Sequence, residues 1–312
     1  AWERGDVESI ALIGLRGVGK SSIFKQLQAR LGADYPSVKV RVGQRICDER
    51  GLAALLAQGL NLAGCASLAD LEARIGARQD RIVVYVEGGE RLFLRHPAGL
   101  EGIRALMSFI RATDERILWI VSFEQAAFDF LQRVLALSES FTTVVPARNL
   151  TRVDLEQFIL LRHDISGIAL SYRDTGGIRT DSAAAAAYFD YLHRVTDGYP
   201  PLAVYLWLAS LAPSADGRGL VVSQAPALPD ALLSPLDGLR CAALASIMLH
   251  GGLTLGEFAQ VLRVPRGDAA ALLGQLRHAH LVEGQATSQR GFTVNRVAYQ
   301  HLYKELAQRN LL

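Results

Sequence analysis

The hydrophobic pattern changes character near the middle of the chain. In the first half, residues 10–13, 82–86 and 117–121 are unbroken apolar runs, the mark of strands buried on both faces of a parallel sheet. Val38, Val40 and Val42 alternate with polar residues and predict a fourth strand, and residues 143–145 predict a short fifth. Between these runs the spacing predicts helices over 21–31, 52–60, 68–75, 100–111 and 125–137, with Ser67 and Asp70 placed to form a capping box at the third. Strands alternating with crossover helices predict an α/β domain, a parallel sheet with helices on both faces, ending near Pro146.

From Thr151 the strand signals fade. Thr151 with Asp154 caps a helix to about Arg162, Asp181 or Ser182 begins another running to about Val195, and Pro200 or Pro201 opens a third. Residues 212–236 are rich in Pro, Gly, Ser and Asp and read as a linker. Helices then follow over 239–249, 255–262 (capped by Thr254 and Glu257) and 268–278. Short strands at 281–282 and 292–294 flank a polar turn, and a last helix covers 297–308. Three helices with a two-stranded wing form the winged-helix pattern. The expected division is an α/β domain at 1–148, a helical lid at 149–212, a linker at 213–236 and a winged helix at 237–312.

The first apolar run leads into Gly14, Gly17, Gly19, Lys20 and Ser21, spaced G-x-x-x-x-G-K-S between a strand and a helix. That is the phosphate-binding loop in its required context. The glycines let successive N–H groups of Gly14, Arg16, Gly17, Val18, Gly19 and Lys20 turn inward on an anion, and the helix that carries Ser21 and Ser22 adds its positive dipole end. Lys20 would reach the β- and γ-phosphates, and the Ser21 hydroxyl would hold Mg²⁺. The third strand ends in Glu87-Gly88-Gly89-Glu90. Glu87 is placed to support the metal, as a second ligand with Ser21, and Glu90 to orient or deprotonate a water. Ser122, after the next apolar run, is the candidate sensor of the γ-phosphate, and Arg148, Arg152, Arg162 and Arg16 are candidate charge sensors.

These features, with Gly198-Tyr199-Pro200 before a helix and a winged helix after it, resemble the STAND branch of the AAA+-related P-loop ATPases, which includes the NB-ARC switch proteins. The matching residues are Gly14 to Ser21, then Glu87, Gly88 and Glu90, then Gly198 and Pro200. The resemblance implies a P-loop NTPase sheet followed by a helical and a winged-helix domain, with Pro200 packed near the adenine. It implies ATP and Mg²⁺ as cofactors and a homo-oligomer in which a neighbouring chain completes the site. Glu87 stands where the family usually has Asp, which bears on the rate of hydrolysis more than on binding.

Composition narrows the alternatives. Half of the 312 residues are hydrophobic, so the chain folds, and a net charge of +2 demands neither nucleic acid nor a membrane. Cys47, Cys65 and Cys241 lack metal-ligand spacing and suit a reducing cytoplasm. The longest apolar stretch, near residues 202–211, is about half of the roughly 20 residues of a membrane span. The chain begins at Ala1, which fits the cytosolic part of a longer protein. The helix in the recognition position offers Gln275, Arg277, His278 and, just after it, His280, but Ala and Leu in its first turns, with Arg263 and Arg266 before it and Gln285, Ser288, Gln289 and Arg290 in the wing. Helices that read DNA carry polar residues in those first turns, so a packing role or a protein partner at the winged helix is favoured over nucleic acid. The expectation is an ATP-binding, slowly hydrolysing switch. Its rivals are a DNA-associated ATPase and a non-hydrolysing, nucleotide-bound scaffold.

Overall fold

The computed structural model describes residues 7–32, 34–62, 64–174, 177–180, 182–226, 236–284 and 291–312. Contacts divide the chain into two units, one of residues 1–147, 235–295 and 301–312, the other of residues 148–234 and 296–300.

The first unit is built on β1 (Ser9–Gly14), β2 (Ser37–Arg41), β3 (Ile82–Glu87), β4 (Ile117–Glu124) and β5 (Thr143–Pro146). They form one sheet in the order β2-β3-β4-β1-β5. Every pairing is parallel, and the three central strands, β3, β4 and β1, are the unbroken apolar runs. Successive side chains point to opposite faces. Leu12, Val83, Tyr85, Leu118 and Ile120 pack with Phe24 of α1 (Lys20–Leu31) on one face. Ala11, Ile13, Val84, Val86, Trp119 and Val121 pack on the other. That face carries α2 (Glu49–Gly59), α3 (Leu68–Gly76), α4 (Glu101–Thr113) and α5 (Gln125–Leu135), so helices cover both faces in a P-loop-type α/β fold. The capping box of Ser67 and Asp70 forms at the start of α3.

The second unit corrects the expectation of a helical segment. Its helices α6 (Arg152–Asp164), α7 (Ser182–Thr196) and α8 (Pro200–Ala209) accompany β6 (Ala169–Asp174), β7 (Gly177–Arg179), β8 (Leu211–Pro213) and β9 (Gly219–Val222) in a four-stranded mixed sheet, β7-β6-β9-β8. β9 falls inside the stretch read as linker. Thr151 caps α6 by accepting from the Asp154 N–H, and α7 begins at Ser182, while Asp181 lies outside the described residues. Phe189 and Trp207 stack at 5.7 Å in the core of this unit.

The chain returns to the first unit as α9 (Gly238–Leu249), α10 (Leu255–Leu262) and α11 (Arg266–His278). An antiparallel pair follows, β10 (Val282–Glu283) with β11 (Thr293–Val294), and the last helix is α12 (Tyr299–Gln308). Thr254 and Glu257 form their capping box on α10. The wing residues Gln285, Ser288, Gln289 and Arg290 lie outside the described residues. Leu249 joins the same apolar cluster as Ile46, Leu52 and Phe93, so this C-terminal segment completes the core of the α/β sheet. Among the described residues, no helix is long and apolar enough to cross a membrane.

Candidate functional site

The carboxyl ends of β1, β3 and β4 lie side by side, with Gly14 in register with Glu124 and Glu87 in register with Ser122. Ligands of open parallel sheets collect at this edge. Gly14 is confined: a Cβ there would come within 2.7 Å of the Ala147 carbonyl and 3.1 Å of Val18. Gly17 and Gly19 adopt φ of 85° and 108°, which L side chains avoid. α1 starts from Gly19 with no side-chain cap and no acid in its own first turn, so no side chain of the helix itself answers its positive end. Lys20 folds over the loop and donates to the carbonyls of Gly14 at 2.8 Å and Leu15 at 2.9 Å. Burial pulls its pKa below the ordinary value, with Glu124 and Glu90 opposing. Val18 is buried, Arg16 is half-buried beside Lys20, and Ser22 is exposed with its N–H on the Gly19 carbonyl.

The Ser21 hydroxyl donates to Glu87. Glu87 also pairs with Lys39 at 3.1 Å and Arg41 at 3.8 Å, both from β2. Partial burial pushes the Glu87 carboxyl up, but Ser21, Lys39 and Arg41 outweigh it and hold it below the usual range. A hydroxyl and a carboxylate in contact are hard oxygen donors that suit Mg²⁺, which takes few protein ligands and fills its octahedron with water and phosphate. Among the described residues no group of three or more His, Cys, Asp or Glu forms a cage for a metal, so a cation here would depend on its phosphate.

Glu90 meets different surroundings. It is buried, and its carboxylate accepts from the Glu124 N–H at 3.3 Å. Burial, and then the charge of Glu124, lift its pKa, against the pull of Lys20. The β4 strand runs two residues beyond Ser122, because buried Phe123 continues the apolar run. Ser122 accepts from the Gly88 N–H at 3.3 Å and donates to the Val86 carbonyl at 3.4 Å, clamping the exit of β3. Glu124 is thus the polar residue that ends β4, a position the apolar pattern would have shown had the run been followed through Phe123.

A second group of residues had no signal in the sequence. Arg45, its side chain 7% exposed, donates to the carbonyls of Phe93 (2.7 Å), Gly252 (2.6 Å), His250 (3.0 Å) and Glu90 (3.3 Å) and pairs with Glu257 at 2.9 Å. It ties the segment after β3 to the loop between α9 and α10. Gly251, at φ 62°, lies against Glu90, and a Cβ there would come within 2.7 Å of the Glu90 Cγ. His250 is buried between the Ser246 carbonyl at 2.7 Å and the Arg95 N–H at 3.0 Å. Accepting from Arg95 at Nε2 assigns its proton to Nδ1. Burial and then Arg45 lower its pKa to about 3.

Pro200 lies in the second unit, buried in the first turn of α8. The glycine before it, Gly198, has φ 67°, and a Cβ there would come within 2.0 Å of the Leu150 carbonyl, so the Gly-x-Pro pattern reflects a close backbone approach. Arg148, Arg152 and Arg162 belong to this unit as well, Arg152 paired with Asp190 and Glu156, Arg162 lying 3.6 Å over the Phe158 ring.

No protein-family profile matches the chain, and no curated protein matches it. Solved structures with a similar trace include the Cdc6p protein of Pyrobaculum aerophilum, 16% identical with TM-score 0.47 over 97% of this chain and 88% of that one. The ORC2 protein of Aeropyrum pernix, described in ADPNP–ADP complexes, is 12% identical with TM-score 0.46 over 98% of this chain and 89% of that one. RuvB of Thermotoga maritima is 17% identical with TM-score 0.44 over 96% of this chain and 89% of that one.

Proposed function

We propose that this chain binds ATP at the loop between β1 and α1 and hydrolyses it slowly, as a P-loop ATPase of the AAA+-related kind. The contact of the Ser21 hydroxyl with Glu87, beside a glycine loop that holds Lys20, is the observation that carries this reading. It brings a hydroxyl, a carboxylate, an ammonium and an uncapped helix start to one strand edge, the set that a metal-bound polyphosphate needs.

In this reading the amides from Gly14 to Lys20 cradle the phosphates and Lys20 balances their charge. Ser21 and Glu87 are the residues that would hold Mg²⁺, which would supply positive charge to the polyphosphate. Glu90, its proton affinity raised by burial, takes a proton from the attacking water, and the Glu124 N–H fixes its orientation. Lys39 and Arg41 compete for Glu87 and favour slow turnover. ATP is preferred to GTP because no Asn-Lys-x-Asp segment is present to read guanine. Nucleotide state then selects between arrangements of the parts, as in the STAND switches, with Pro200 coupling the helices of the second unit to that state and self-association completing the site. The loop between α9 and α10 serves packing against the segment after β3, a role supported by the ties of Arg45 and His250.

Titration calorimetry with ATP and GTP tests the binding. ATP should bind in the presence of Mg²⁺, and Lys20→Ala should weaken it by about 100-fold or more. Folded protein that captures neither nucleotide, or a Lys20→Ala variant that binds like the parent, overturns the reading. Phosphate release separates an ATPase from a scaffold, and particle mass with ADP against a non-hydrolysable ATP analogue tests assembly.

A further inference from the structure

His250, Phe93 and Phe130 form a column of rings in the first unit. Phe93 and His250 lie 5.1 Å apart at 36°, and Phe93 and Phe130 stack at 5.7 Å and 16°. The first two are buried, whereas Phe130 is half-buried and lines an open groove of about 280 Å³ with Arg95, His96, Pro97, Leu100 and Arg263.

The frame of this groove is fixed. The Arg95 N–H donates to His250, and the turn behind it is closed by Leu94 N–H on the Gly99 carbonyl (2.8 Å) and Gly99 N–H on the His96 carbonyl (3.0 Å). Arg263 ends α10 at φ 56°, with its N–H on that helix's last carbonyls. Among the described residues neither the Arg95 nor the Arg263 guanidinium has a carboxylate partner, and no acid lines the groove. Asp129, next to Phe130 on α5, is occupied by Gln125 at 2.9 Å and Tyr303 at 3.2 Å.

Two uncompensated guanidiniums beside an aromatic ring at the end of a stack call for a ligand that is flat, aromatic and anionic. We propose that this groove binds single-stranded nucleic acid, one base stacking on Phe130 and the adjoining phosphates meeting Arg95 and Arg263. Base–aromatic stacking with cationic backbone contacts is the ordinary chemistry of strand binding, and bases in a duplex do not present their faces. A strand suits the site better than a free nucleotide. The groove is open and slightly smaller than cavities that enclose a small molecule, and exposed Arg266 follows Arg263 three residues later in the sequence, at the start of α11. This site shares no residue with the phosphate loop.

Fluorescence anisotropy of a labelled oligothymidine of about 15 nucleotides in about 50 mM salt tests it. The parent should bind with an affinity that falls as salt rises. Phe130→Leu should weaken binding about tenfold, and Phe130→Tyr, which keeps the ring, should restore it. Arg95→Glu with Arg263→Glu, both on exposed side chains, should remove measurable binding, while Lys20→Ala should leave it intact even though ATP capture is lost. No binding at low salt, or equal binding by the parent and these groove variants, overturns the proposal. So does competition by a mononucleotide as strong as by the oligomer, which would assign the groove to free nucleotides.

Discussion

Glu87 and Glu90 leave the same strand three residues apart and meet opposite surroundings. Glu87 stands among Ser21, Lys39 and Arg41, and its carboxyl is held ionised. Glu90 is sealed between Glu124 and Gly251, with burial raising its proton affinity. One short segment thus supplies an anion suited to a cation and an acid suited to proton transfer. The difference is made by neighbours from distant parts of the chain, β2 on one side and the α9–α10 loop on the other.

The largest test removes the partner that closes the sealed side. Arg45→Ala leaves Glu257 and four carbonyls without their donor and should cost about 3–5 kcal/mol of stability in a denaturant titration. Arg45→Lys should restore only part of this, since an ammonium cannot span so many acceptors. The next test changes the two acids alike. Glu87→Gln should slow phosphate release at saturating ATP by about 100-fold with a stability change within about 1 kcal/mol. Glu90→Gln should also slow turnover but leave stability equal or higher, because the amide still accepts from Glu124 and no longer risks a second buried charge. Equal responses of stability in the two variants would dissolve the contrast.

The smallest effect concerns His250. Its folded pKa, near 3, lies below its unfolded value, so the unfolded state binds the proton more readily. The stability it contributes is present above about pH 6.5 and is lost as pH falls toward 3. Between about pH 7.5 and 5.5, urea titrations should show a loss of about 1 kcal/mol that is absent from His250→Gln.

What the sequence displays is what acts locally. The sheet of the first unit is legible because β1, β3 and β4 are unbroken apolar runs and β2 alternates, and the phosphate loop because its glycines and lysine fall within seven residues. The second sheet is hidden because β7 and β8 have three residues each, β8 ends in Pro213, and β6 pairs with β9 from Ala169 to Gly219, far along the chain. Glu87 and Glu90 can be picked out from their place after an apolar strand, but the partners that make them differ cannot. Arg45 is a lone basic residue in a loop, and only the folded chain brings five acceptors to it. Ser122 marks the polar break in β4, yet its hydroxyl is satisfied by β3, and the strand continues to Glu124.

The first unit is assembled from the early and the late parts of this sequence, and residues 148–234, most of the second unit, come between them along the chain. On the ribosome the sheet therefore emerges well before Leu249 and the carbonyls of His250 and Gly252, which finish its core and satisfy Arg45. A nascent chain halted within residues 150–234 would hold Arg45 with only the Glu90 and Phe93 carbonyls and an oily flank exposed to chaperones. Maturation of the sheet thus waits on translation of the C-terminal segment.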